Sequence, residues 1–166
     1  MPQQLDELAT DMFRTFARFE FALKAAGFHN GDGAAEPNWR SFAQTIPALF
    51  NRPGDPDLRA AVDFILDHPP RKQIIANGVL TWSNAAPDTD LLSDRVLIYV
   101  RRVRNNLLHG GKFNGHWFEP ERSELLLRHS LVILRACINA SNDLGAVFHN
   151  ECPAYYIAVG STVDLS

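Results

Sequence analysis

One stretch constrains this chain more than any other: Tyr99-Val-Arg-Arg-Val-Arg-Asn-Asn-Leu-Leu-His-Gly-Gly-Lys112. Wound at about 100° per residue, Leu97, Val100, Val103, Leu107 and Leu108 make one apolar stripe, so the segment predicts a helix buried along one side. Arg104 falls inside that stripe, between Val100 and Leu108 at i−4 and i+4. A guanidinium on a core-facing side needs partners, because an unpaired buried charge costs several kcal/mol. From Arg95 to Lys112 the segment holds five cationic side chains and no carboxylate, although the whole chain carries a net charge of −3. Asn105 leads along the adjacent face to His109 at i+4, and Gly110-Gly111 predicts the helix end. An arginine, an amide and an imidazole thus reach the last turn and a half together.

The remaining sequence is helical in rhythm. Leu5, Leu8, Met12, Phe16, Phe19 and Leu23 share a face of a first helix that Gly27 should stop. Glu20 flanks that face; it either curls out to water or approaches Arg104, two misplaced charges of opposite sign satisfying each other. Trp39 to Phe50 suggests a short helix kinked or ended by Pro47. Asp55 and Pro56 form an N-cap and first turn for a helix to about residue 67. Lys72 to Trp82 breaks the rhythm: two β-rich runs flank Asn77-Gly78, the strongest short hairpin signal. The motif helix is expected from about Thr89 to Leu108. Glu119-Pro120 opens the last long helix, with Leu125, Leu126, Leu131, Ile133, Leu134 and Ile138 on its apolar faces and fraying past Asn142 or Gly145. The segment 153–166 reads as a strand or extended arm.

The expected fold is therefore an all-α bundle of four to five helices with a small β-hairpin insertion at about 72–82, in one domain over 1–166. At 166 residues a real core can be buried. A pI near 6 argues against bulk electrostatic capture of nucleic acid, so such contact must come from a local patch. The two cysteines, Cys137 and Cys152, lack metal-ligand spacing, and His29, His68, His129 and His149 show none either, so no metal or other cofactor is expected. The absence of a long apolar run and of a signal-peptide pattern predicts a cytoplasmic protein without membrane contact.

Arg104-Asn105-Asn106-Leu107-Leu108-His109 matches an R-x4-H pattern with a polar residue after the arginine. Near the end of a long helix in an all-helical chain, this motif resembles the HEPN superfamily (higher eukaryotes and prokaryotes nucleotide-binding), many of whose members are metal-independent endoribonucleases. Outside Arg104–Lys112 the resemblance is architectural. It implies RNA cleavage by 2′-hydroxyl attack at a composite site of a homodimer, in bacterial toxin–antitoxin or anti-phage defence, with an antitoxin or regulatory protein as a further partner. Arg104 and His109 would be catalytic, the imidazole moving protons and the guanidinium steadying the phosphorane. Asn105 and Glu20 would support them; Arg101, Arg102 and Lys112 would hold the RNA backbone. The helix C-terminus favours imidazolium at His109, whereas the nearby arginines oppose it. One toxin branch places a modifiable tyrosine two residues after the histidine; here Gly111 stands there, so that regulation does not carry over.

Blander readings stand beside these. A histidine before two glycines is often a helix cap, and Arg101 and Arg102 suit a solvated face. The same residues fit a catalytically silent HEPN-like module binding RNA or protein, or an interaction protein whose Arg104–Glu20 pair is purely structural.

Overall fold

In the computed structural model the described residues are 2–108, 112–113, 116–117 and 119–149, and side chains at 2, 3, 112, 113 and 116 lie outside that description. Within them the chain is mostly helical, with two small antiparallel ribbons. Helix α1 (Pro2–Ala25) is followed by α2 (Trp39–Thr45), α3 (Pro47–Asn51) and α4 (Pro56–Asp67). Strands β1 (Lys72–Ala76) and β2 (Val79–Ser83) lead to α5 (Leu92–Leu108). After β3 (Lys112–Phe113) and β4 (His116–Trp117) come α6 (Pro120–Ala140) and α7 (Asn142–Phe148).

The all-α class with a hairpin agrees with expectation, but seven helices are described where four to five were expected. Two breaks account for the excess. Pro47 has no N–H to continue α2, yet its fixed φ suits a first helical position, so it opens α3 after a turn at Ile46. Ser141 leaves helical geometry and its Oγ accepts from Leu144 N at 3.3 Å, capping a separate α7 where fraying was expected. Helix α5 begins at Leu92, later than Thr89, because Thr89 serves the turn before it: its Oγ1 accepts from Leu91 N and its carbonyl from Arg95.

Helix α1 is the central element, packing on α6 and α7, while α4 lies on α6 and both α2 and α3 lie on α5. Its stripe is buried as expected at Leu5, Met12, Phe16, Phe19 and Leu23, with Leu8 partly buried. Gly27, at φ 90°, takes the left-handed position that lets Phe28 N reach Leu23 O at 2.8 Å and close the helix. Phe28 then packs edge-on against Phe42 of α2. Asp55 caps α4 as anticipated, accepting from Asp57 N at 2.9 Å. The β1–β2 hairpin turns at Asn77 and Gly78, φ 52° and 76°, both left-handed as the tightest hairpin turn requires.

Helix α5 buries Val96, Leu97, Tyr99, Val100 and Val103, and Ser93 Oγ donates to the buried Ala43 carbonyl at 2.7 Å, fastening it to α2. The stripe thus continues further toward the N-terminus than the sequence suggested, and Leu108, assigned to it, is exposed, as is Leu125 of α6. Leu127 and Cys137 fill the α6 face instead. Among the described residues no single helix is long and apolar enough to cross a membrane.

Candidate functional site

The exposed flank of α5 meets α1 and α2 along a line of aromatic rings. Trp39, at the start of α2, is held there by Asn38, whose Oδ1 caps the helix by accepting from Ser41 N at 2.9 Å. Its indole is only 3% exposed, stacks on Phe19 at 5.0 Å between centroids and sits 5.2 Å from the Phe16 ring. Helical spacing then does the rest. Arg101 and Arg104, three residues apart, share a side of α5. The Arg101 guanidinium lies 5.7 Å from the Trp39 centroid and that of Arg104 lies 5.1 Å from the Phe16 centroid. Two adjoining rings therefore carry two adjoining cations, an attraction worth about 0.5–2 kcal/mol each, depending on desolvation.

The expected Glu20–Arg104 pair does not form within the chain. The Glu20 carboxylate accepts from the Trp39 indole N–H at 3.2 Å instead, and no salt bridge joins it to Arg104. Arg104 is half-buried rather than enclosed, so the π-face of Phe16 and one polar contact suffice. That contact is Asn105, whose Oδ1 accepts from Arg104 Nη1 at 3.0 Å. Glu20 still belongs to the site, one residue removed: it fixes the ring that lies under Arg101.

Arg102 turns to the neighbouring side of α5, donating to the Ala85 carbonyl at 3.0 Å and lying 5.4 Å from the Tyr99 centroid. There a cavity of about 400 Å³ is lined by Lys72, Gln73, Arg101, Arg102, Asn105 and Asn106, among others. Among the described residues no carboxylate comes within 4.0 Å of the Arg101, Arg102 or Arg104 guanidinium. Elsewhere some arginines are paired with carboxylates, Arg128 with Glu124 at 2.7 Å and Arg135 with Asp11 at 2.8 Å, while others, such as Arg18 and Arg59, donate to backbone carbonyls. The α5 cations are held by rings, amides and backbone carbonyls, which orient them without neutralising them.

His109 and the side chain of Lys112 lie outside the described residues; the backbone of Lys112 pairs with Trp117 in the β3–β4 ribbon. Four sequence-expected residues, Arg101, Arg104, Asn105 and Glu20, are thus gathered on one side, and Arg102 opens onto the neighbouring cavity. Phe16, Trp39 and Lys72 join the candidate site, whereas the sequence placed them in the apolar stripe of the first helix, in a short helix and in the hairpin. A signal for Trp39 existed in Asn38-Trp39, a capping residue delivering a tryptophan, but nothing local ties it to α5. Among the described residues, no group of three or more histidine, cysteine, aspartate or glutamate side chains comes together as a metal site would need.

Comparison with protein-family models, curated proteins and solved structures matched nothing.

Proposed function

We propose that the chain is a metal-independent endoribonuclease of HEPN type that works as a homodimer. The reading is supported chiefly by the α5 cations, which are oriented by Phe16 and Trp39 and by neutral acceptors, with no carboxylate spent on them. Such guanidiniums remain open to phosphate. In the proposed reaction His109 takes the 2′-hydroxyl proton, the 2′-oxygen attacks the adjacent phosphorus and the 5′-oxygen departs, leaving a 2′,3′-cyclic phosphate. Arg104 steadies the charge on the phosphorane. One chain supplies a single arginine and a single histidine of this motif, so the second proton transfer, to the leaving oxygen, falls to the dimer mate across a two-fold axis. Arg101, Arg102 and Lys112 hold flanking phosphates.

A catalytically silent HEPN-like module that binds RNA or protein is the second reading. It draws on the same carboxylate-free cations, which would hold phosphate whether or not a proton is moved at His109. Cleavage of single-stranded and structured RNA in EDTA separates the two. Wild type should cut, and His109→Ala should lose activity while melting within a few degrees of wild type. Full activity in His109→Ala removes the imidazole from the mechanism, and an inactive but RNA-binding wild type supports the silent module.

A further inference from the structure

A second cavity, of about 560 Å³, lies between the β1–β2 hairpin, the C-terminal half of α5 and the start of α6. Its inner wall is apolar, from Val103, Leu107, Leu126 and Leu127. Two indoles line it as well, Trp82 from β2 and Trp117 from β4. Trp117 is pinned, its Nε1 donating to Asp6 Oδ1 at 3.0 Å. Trp82 is 43% exposed at the mouth, and Leu80 beside it is 63% exposed. The hairpin register pairs Gln73 with Trp82 and Ile75 with Leu80, so all four stand on one face of the ribbon.

Gln73 and Asn106 line both this cavity and the basic one containing Lys72, Arg101 and Arg102. The two are therefore neighbours, a cationic groove running into an aromatic, apolar pocket with two amide side chains at the junction. Asn106 is fixed there by its Nδ2, which donates to the Arg71 carbonyl at 2.8 Å. A volume of this order holds one heteroaromatic ring system with room to spare. Backbone-tracking cations beside an aromatic platform are what an unpaired nucleic-acid strand uses, because its bases are free to leave the stack. An acidic peptide could satisfy the cations, but its side chains would leave the indole faces unused.

We infer that the hairpin completes a binding track for single-stranded RNA, with phosphates along Lys72, Arg101 and Arg102 and one base inserted beside Trp82. The inference rests on the nucleolytic reading for the choice of RNA over DNA; the track itself does not require cleavage.

The test uses the full chain and a short fluorescein-labelled 2′-O-methyl oligonucleotide, which cannot undergo 2′-hydroxyl attack. Anisotropy should report binding that an unlabelled duplex competes for poorly, with quenching of tryptophan fluorescence. Trp82→Ala should weaken binding by about 5- to 150-fold, the range for losing one stacked base. Trp82→Phe should recover most of it. Lys72→Gln should reduce the salt dependence of log K by about 0.7, one phosphate's share on a single strand. Because Trp82 and Lys72 sit on the exposed hairpin, their variants should keep the melting temperature of wild type. No oligonucleotide binding, binding indifferent to both substitutions, or preference for a poly-glutamate peptide would overturn the track. Failure to cut unmodified RNA while binding still follows Trp82 overturns only the nuclease reading; cutting that ignores Trp82, with binding that ignores it too, overturns only the track.

Discussion

Replacing Glu20 with alanine distinguishes three physical situations by magnitude alone. A buried ion pair with Arg104 would cost about 3–5 kcal/mol when broken. A carboxylate pointing to water would cost no more than about 0.5 kcal/mol. The structure gives an intermediate case: Glu20 is half-buried and accepts from the indole of Trp39, itself 3% exposed, at 3.2 Å. Hydrogen bonds to charged groups contribute about 1.5–3 kcal/mol, and 3.2 Å lies at the long end of the N–H···O range. The expected loss is therefore about 1–2 kcal/mol. With a urea m-value of about 2 kcal/mol/M, the midpoint should fall by about 0.5–1 M at unchanged m. Glu20→Gln, which keeps an acceptor oxygen, should recover at least half of that. Two double-mutant cycles locate the partner: Glu20→Ala with Trp39→Phe should couple by about 1 kcal/mol, since phenylalanine keeps the ring and loses the N–H. Glu20→Ala with Arg104→Ala should be additive within about 0.5 kcal/mol. A large Arg104 coupling together with a negligible Trp39 coupling refutes this account of the site.

Other perturbations test other parts of the fold. Burial against Phe64, whose ring lies 4.3 Å from its own, holds His129 below the ordinary 6.5. The unfolded chain then binds more protons at mildly acidic pH, so the His129 contribution is complete above about pH 6.5 and is lost as pH falls toward the folded value. His129→Gln should flatten that part of the stability–pH curve in urea unfolding from pH 8 to 5, and an unchanged curve would acquit the residue. Complete burial pushes the Cys137 thiol far up, so in a Cys152→Ser background an aromatic disulfide reagent should label it no faster than the chain unfolds. Gly78 has open space around it and a φ of 76°, so Gly78→Ala should be strained by backbone alone. Amide exchange in β1 and β2 should quicken about fivefold or more while global stability hardly moves; unaltered exchange would deny the left-handed turn.

The fold was legible wherever period and punctuation agreed. On α1 a continuous stripe ends at a glycine, and five of its six assigned residues are buried, the sixth partly so. At Asn77-Gly78 and Asp55-Pro56, turn and cap chemistry is local, and local chemistry survives folding. What escaped were boundaries that depend on which of two uses a residue is put to. Pro47 could end one helix or open another and does both; Ser141 could fray a helix or cap the next. Leu108 belongs to a stripe by angle alone, but a stripe extends only as far as another element packs on it, and at that end of α5 the side chain is exposed.

At the candidate site, Arg101, Arg104, Asn105 and Glu20 come together, but Glu20 bonds to Trp39 and not to Arg104. Arg104 among apolar neighbours implied a need for compensation, and charge pairing was the compensation that pattern alone could offer. The apolar neighbours themselves were the other option. Phe16 lies four residues before Glu20 on the same side of α1, so any helix that brings a cation near Glu20 also brings it over an aromatic ring. A half-exposed guanidinium needs little desolvation to use that ring, and the Glu20 carboxylate is already drawn to the buried Trp39 indole N–H. Glu20 therefore stays with Trp39, Trp39 stays under Arg101, and the two cations keep their charge facing outward. An internal Glu20–Arg104 bridge would have to be broken each time an anion bound to that arginine, while a ring holds the same guanidinium and competes for nothing.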